Sequence, residues 1–264
     1  MQDIKVTIIQ SDLVWEDKDK NLAHFKERIE SIKESTDLII LPEMFNTAFS
    51  MKPEVFSELP KSRTHIWMED MSRNTGISIA ASFMVNDNGN YFNRFMVMHP
   101  DGEYETYDKR HLFRMGNEHD HFTAGNRELI FEFKGWKIKA LICYDLRFPV
   151  FAKNNYSDGK YDYDALIYVA NWPKVRNHIW KSLLLARALE NQCYVIGVNR
   201  IGIDGNGLDH AGSSCIITPK GEYLVDALDD IAFEKTAELS YLDLKDFRNK
   251  FTVGLDWDKF KVLP

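Results

Sequence analysis

The stretch Ile138-Lys139-Ala140-Leu141-Ile142-Cys143-Tyr144-Asp145-Leu146-Arg147-Phe148-Pro149 begins as an apolar run and breaks at once into a thiol, an acid, a guanidinium and a proline. A short run of aliphatic residues ending so abruptly reads as a buried strand. It leaves Cys143 where backbone N–H groups and water meet, the setting of a nucleophile carried on a strand end. A lone free cysteine more often serves as a small buried hydrophobe, so Cys143 gains chemical meaning only from partners elsewhere in the chain.

Outward from this stretch, similar runs recur at Val6 to Gln10, Leu38 to Leu41, Ile77 to Met84, Phe92 to His99, Leu166 to Ala170 and Tyr194 to Asn199. Helical spacing separates several of them. Leu22, Phe25, Ile29 and Ile32 mark one inward helix face, and Ile179, Leu183, Ala186 and Leu189 mark another. Asn88-Gly89, Asp101-Gly102 and Lys220-Gly221 stand between strand-like runs as turn signals, so hairpins accompany the helical crossovers and the class is α/β with mixed sheets. Gly202 to Gly212, with four glycines, reads as the one long loop. No linker divides residues 1–264, which form a single domain. The elements before and after about residue 130 share a layout without a sequence repeat.

Composition narrows the function. A 44% hydrophobic content supports a substantial core. Asp and Glu outnumber Lys and Arg by 40 to 33, for a net charge of -7, which argues against nucleic acid or an anionic membrane as partner. No segment reaches the ~18 apolar residues of a membrane span, and Met1 to Val6 shows no basic leader. Cys143, Cys193 and Cys215 are odd in number and far apart, as in a reduced, cytoplasmic protein; the last two, inside β-like runs, belong to the core. The eight histidines, His119 and His121 included, show no metal-ligand spacing, and no glycine-rich phosphate or dinucleotide motif is present. Neither a metal nor a cofactor is expected.

Two further strand ends carry polar residues. In Leu38-Ile39-Ile40-Leu41-Pro42-Glu43 a buried strand hands over a carboxylate, which in poor solvent resists ionisation and can take a proton. In Tyr107-Asp108-Lys109-Arg110-His111-Leu112-Phe113 the aromatic neighbours favour an enclosed Lys109 suited to an oxyanion.

With Cys143, these segments form an ordered Glu, Lys, Cys set that resembles the carbon-nitrogen hydrolases of the nitrilase superfamily. Ala170-Asn171-Trp172-Pro173, the run from Trp180 to Asn191, and Gly212-Ser213-Ser214 extend the resemblance over nearly the whole length. It implies a four-layer α-β-β-α sandwich of two mixed sheets. It assigns Glu43 as general base, Lys109 and the backbone N–H of Tyr144 as the oxyanion hole, and Cys143 as nucleophile. Glu118, seven residues before Gly125, resembles the family's second glutamate, which positions the lysine and the substrate nitrogen. The wording of the motifs is most similar to the omega-amidase branch, implying hydrolysis of the terminal amide of a small carboxylate-bearing molecule such as 2-oxoglutaramate, with ammonia released.

For that substrate Arg147 is a candidate to hold the distal carboxylate, its alternative being an internal ion pair with Asp145. Arg176, His111, Phe113 and Trp172 are further candidate substrate contacts, and Phe122 and Tyr144 are possible walls of the pocket. Rival readings are another amidase of the superfamily (for deaminated glutathione or a carbamoyl amine), a nitrilase, and a non-catalytic member that binds metabolites or proteins. The resemblance also implies a homodimer paired near the nucleophile. A C-terminal arm from about residue 242, bearing Phe247, Phe251, Trp257 and Phe260, packs either on a partner or on its own core.

Overall fold

Alternation of side chains decides how the first sheet is used. Ile4, Val6 and Ile8, Leu38 and Ile40, Ala80, and Phe95 and Val97 point to one face; Ile9, Ile39 and Leu41, Ile79 and Ala81, and Met96 and Met98 point to the other. Both sets are buried, so the sheet is covered on both faces. The computed structural model, which describes residues 2–226 and 228–262, accounts for this with a second sheet on one side and helices on the other.

In chain order the elements are β1 (Ile4–Gln10), α1 (Lys18–Ser31), β2 (Leu38–Ile40), α2 (Pro53–Phe56), α3 (Arg63–Thr75), β3 (Ser78–Asp87), β4 (Asn90–Met98), β5 (Tyr104–Asp108), α4 (Glu118–His121), β6 (Ile130–Phe133), β7 (Trp136–Ile142), α5 (Pro149–Ala152), β8 (Tyr156–Ser157), β9 (Lys160–Tyr161), β10 (Ala165–Ala170), α6 (Asn177–Asn191), β11 (Tyr194–Asn199), β12 (Ile201–Ile203), β13 (Asp209–Ala211), β14 (Cys215–Ile217), β15 (Tyr223–Asp226), β16 (Phe233–Leu239) and α7 (Tyr241–Lys250). The first sheet runs β16-β1-β2-β3-β4-β5 and the second β15-β14-β11-β10-β7-β6. Both are mixed. Read from β16 and from β6 respectively, their neighbours pair in one pattern: antiparallel, parallel, parallel, antiparallel, antiparallel. The likeness of layout on either side of residue 130 is therefore a likeness of sheets.

Helix α1 starts at Asp17, whose carboxylate accepts the Lys20 N–H, and buries Leu22, Phe25 and Ile29 against the outer face of the first sheet together with Met68 and Met71 of α3. On the second sheet the expected helix face is corrected. Helix α6 buries Trp180, Leu184 and Ala188, while Ile179, Leu183 and Ala186 are half-buried and Leu189 is exposed. The reason is Gly197 in β11, where a Cβ would lie 2.5 Å from Leu184 and 3.0 Å from Trp180. The missing side chain lets that ridge of α6 settle on the strand. The glycine-rich segment read as a loop is likewise corrected, because β12 and β13 pair as a hairpin within it.

Beyond α7, Gly254 lies on Tyr161, and Trp257 meets the Tyr161 ring edge-on and caps the Lys153 ammonium. The terminal segment thus contacts its own chain, while Phe251 and Phe260 are exposed and residues 263 and 264 of the expected arm lie outside the described residues. Among the described residues no helix is long and apolar enough to cross a membrane.

Candidate active site

The site lies on the seam between the sheets. Glu43 follows β2 and is fully buried. Its Oε1 accepts from Asn93 Nδ2 of β4 and from Lys109 Nζ, both at 2.8 Å. Its Oε2 accepts the Asn171 N–H at 2.8 Å, and its main-chain carbonyl accepts Asn171 Nδ2 at 2.6 Å. Asn171 immediately follows β10 of the second sheet, so the carboxylate is held from both sides. The chain turns at once after it through Met44, whose φ of 43° is left-handed and whose N–H donates to Ser82 Oγ.

Lys109 follows β5. Its N–H donates to Asn93 O and its carbonyl accepts the Gly125 N–H, both at 2.9 Å. A Cβ on Gly125 would lie 2.0 Å from the Asp108 carbonyl oxygen, so only glycine permits this approach. The ammonium, fully buried, bridges Glu43 and Glu118 at 2.8 and 3.0 Å and sits over the Phe49 ring. Glu118, the first residue of α4, also accepts the Phe113 N–H at 2.6 Å.

Cys143 follows β7 with φ 43°, a left-handed conformation that non-glycine residues adopt only under constraint, at about 1–3 kcal/mol. It is buried, with 8% of its surface accessible, and that surface opens on a cavity of about 110 Å³.

Electrostatics follow from enclosing two carboxylates and one ammonium. Burial by itself would lower the Lys109 pKa; Glu118 and Glu43 outweigh it and hold the pKa above its ordinary value, so the ammonium is permanent. Burial and the Glu43 charge push Glu118 up, against the pull of Lys109. Burial first, and the Glu43 charge second, push the Cys143 thiol well above its ordinary range, with Lys109 and the Asn171 N–H opposing. The resting sulfur is therefore a thiol at neutral pH.

The structure brings Glu43, Lys109, Glu118 and Cys143 together, and Tyr144, Phe113, Trp172, Arg147 and Arg176 line the same cavity. Arg147 does not pair with Asp145. Its guanidinium lies over the Trp172 ring at 5.1 Å, and that of Arg176 over Phe113 at 5.5 Å. Neither arginine forms an ion pair with a carboxylate among the described residues. His111 is a different case: it stacks on Phe148 at 3.7 Å and bonds Asp145, away from the cavity wall. Phe122 likewise packs with Met44 and Met84 and does not line the cavity.

Sequence reasoning missed Asn93, which bridges both glutamates from within an apolar strand. It also missed the β12–β13 hairpin, which adds Asp204, Asn206, Leu208 and His210 to the wall. Asp204-Gly205-Asn206-Gly207 between two short alternating runs was a hairpin signal. The hairpin is pinned to the first sheet's edge of the site: Arg200 Nη2 donates to Asp12 Oδ1 at 2.5 Å, and Gly202 and Gly205 leave no room for a Cβ beside Asp12 and the Trp15 ring. His210 Nδ1 faces the carbonyls of Leu208 and Gly202, which only accept, so Nδ1 carries the proton; burial lowers its pKa and favours the neutral ring.

Comparison with known proteins identifies the family. Residues 5–242 match the family model described as carbon-nitrogen hydrolase. The chain is 43% identical over 262 residues to the omega-amidase YafV of Escherichia coli (strain K12), covering 99% of this chain and 100% of that one. It is 32% identical over 225 residues to the 2-oxoglutaramate amidase of Bacillus subtilis (strain 168), covering 84% and 85%. The crystal structure of XC1258 from Xanthomonas campestris, a CN-hydrolase superfamily protein with an arsenic adduct in its active site, superposes with a TM-score of 0.96 at 38% identity, covering 99% of this chain and 100% of that one.

Proposed function

This chain belongs to the carbon-nitrogen hydrolase family and is a hydrolase of carbon-nitrogen bonds other than peptide bonds; from that premise we propose that it cleaves the terminal amide of a small carboxylate-bearing substrate such as 2-oxoglutaramate through a Cys143 thioester, releasing ammonia. The observation that carries the reading is the enclosure of Glu43, Lys109 and Glu118 behind the cavity on which Cys143 opens.

An amide is a weak electrophile with a poor leaving group. Glu43 takes the thiol proton as Cys143 attacks the carbonyl carbon. Two Lys109 N–H groups are held by carboxylates, and the third, with the Tyr144 N–H, meets the oxyanion. The proton passes from Glu43 to nitrogen, ammonia leaves, and the acyl group remains on sulfur. Water, deprotonated by Glu43, then attacks the thioester, and the carboxylic acid departs as the thiol reforms. Glu118 holds Lys109 and the amide nitrogen in register.

Substrate choice rests on Arg147 and Arg176. A guanidinium stacked on an aromatic ring keeps its in-plane N–H groups free for a carboxylate. The two curated relatives named for such amides support this reading. Steady-state ammonia release from 2-oxoglutaramate, glutamine and a simple nitrile, with Cys143→Ala as blank, tests it: the first substrate should dominate kcat/KM, and a preference for glutamine or the nitrile would overturn the assignment.

A cytoplasmic location suits a mechanism that needs a reduced thiol. A homodimer is supported by the outward, partly apolar side of α6 and by exposed Val150 beside the nucleophile turn. Sedimentation equilibrium showing a monomer at micromolar concentration would remove the dimer from the proposal.

A further inference from the structure

Asp145, two residues after the nucleophile, is fully buried. It lines no part of the cavity, so the reaction described above does not use it. Both of its oxygens are nonetheless occupied. Oδ2 accepts the Tyr107 hydroxyl at 2.8 Å and the Ile142 N–H at 3.0 Å. Oδ1 accepts the His111 N–H at 3.1 Å and His111 Nδ1 at 2.7 Å, so Nδ1 carries the proton.

The donors come from meaningful places. Tyr107 and His111 stand two residues on either side of Lys109, and Ile142 immediately precedes Cys143. Tyr107 belongs to the first sheet and Ile142 to the second. The Tyr107 hydroxyl also accepts the Arg110 N–H at 3.0 Å, which extends the grip to the residue after the lysine. One carboxylate therefore ties the backbone of the ammonium to the backbone of the sulfur.

We infer that Asp145 is a positioning residue that holds the strained Cys143 turn in register with Lys109 across the seam between the sheets. Two physical facts support this. A left-handed cysteine persists only where its surroundings over-determine it, and hydrogen bonds to a buried charge are the strong ones. The nucleophile and the oxyanion donor sit on different sheets, and a misplacement of about 1 Å between reacting groups can cost on the order of 100-fold in rate.

The inference rests on the amidase reading for its turnover arm only. Asp145→Asn keeps the shape of the side chain and replaces one acceptor oxygen by a donor; Tyr107→Phe leaves the carboxylate and removes one donor from the lysine side. Three measurements are made on each variant and on the double variant: kcat and KM for 2-oxoglutaramate, the rate of Cys143 alkylation by iodoacetamide across pH 6 to 9, and Tm. Asp145→Asn should lower kcat about 10- to 100-fold with KM changed less than about 3-fold, the loss of one or two charge-assisted bonds, and should shift the alkylation pH profile. Tyr107→Phe should lower kcat by less, and the two losses should not add in the double variant.

Wild-type kcat and an unshifted alkylation profile in folded Asp145→Asn, whatever its Tm, would overturn the positioning role. So would additive losses in the double variant. If Asp145→Asn does not fold, Tyr107→Phe decides by the same two readouts. A shifted profile in a protein whose wild type releases no ammonia from any amide would sink the amidase reading and leave the positioning role standing, because alkylation needs no amide substrate.

Discussion

The two sheets have one pairing pattern but bring different things to the seam. The first supplies charge: Glu43, Asn93 and Lys109 extend from β2, β4 and β5 into a network in which each charged group has partners. The second supplies conformation: Cys143 sits on a left-handed turn, and Asn171 offers its N–H and amide to the facing carboxylate. The contrast is plain at two corresponding strand ends. Ser11 follows β1, and its hydroxyl is hydrogen-bonded to His24 Nε2 at 2.6 Å within its own layer, while Cys143 follows β7 and opens on the cavity. The lesson is that the sulfur meets the cavity because of where a strand stops and how it turns, while the charge is delivered from across the seam.

The sharpest way to break this division is to remove the sulfur. Cys143→Ala should reduce amide hydrolysis at least about 10,000-fold while leaving far-UV circular dichroism unchanged. Cys143→Gly should be equally inactive yet more stable than Cys143→Ala by up to about 1 kcal/mol in urea unfolding, because glycine relieves the left-handed φ. Equal stabilities would mean the turn is unstrained.

Removing charge from the first sheet should cost activity and stability together. Lys109→Ala should lower kcat by about 100- to 1000-fold and also reduce Tm, since two buried carboxylates then lose their shared counter-ion. Retention of wild-type Tm would show that the acids simply take up protons. Asn93→Ala, which deletes one neutral donor between those acids, should cost about 10-fold in kcat, measured at saturating substrate.

Gly205→Ala probes the hairpin that joins the sheets at the rim. The added Cβ would lie 2.3 Å from the Trp15 ring, so the hairpin must move, raising KM several-fold with kcat little changed.

Titration bears on stability alone and leaves the division between the sheets untouched. Burial holds the inert thiols Cys193 and Cys215 up at about 12. The unfolded chain releases these protons from about pH 8.5, so the folded form binds more protons above that value and stability must fall as pH rises toward 12, at about 1.4 kcal/mol per pH unit per thiol. Urea midpoints at pH 8 and pH 10, compared with those of Cys215→Ala, measure it.

Much of this was legible in the sequence because strand ends advertise themselves. Leu-Pro-Glu43, Tyr-Asp-Lys109 and Ile-Cys143 each show an apolar run meeting a polar residue. Asn93 was hidden for the opposite reason, since one polar residue inside an alternating strand reads as a solvent position while here it points at two buried acids. The face of α6 was misread because its Leu-Leu-Leu-Ala core fits two registers, and the strand glycine that chooses between them lies outside the helix. Edge strand β16 escaped notice because it is half polar and pairs with β1 from the far end of the chain. A local pair between Arg147 and Asp145 was the alternative to a substrate contact, and the sequence did not choose between them; in the structure Arg147 lies over Trp172 and Asp145 accepts the Tyr107 hydroxyl.

Because the acid, the ammonium and the sulfur are divided between two layers, on the mechanism proposed above neither layer carries the reaction alone. Catalysis is thus a property of their docking. During renaturation from urea, hydrogen-exchange protection within each sheet should precede the return of ammonia release, making enzymatic recovery a clock for the last tertiary event of folding.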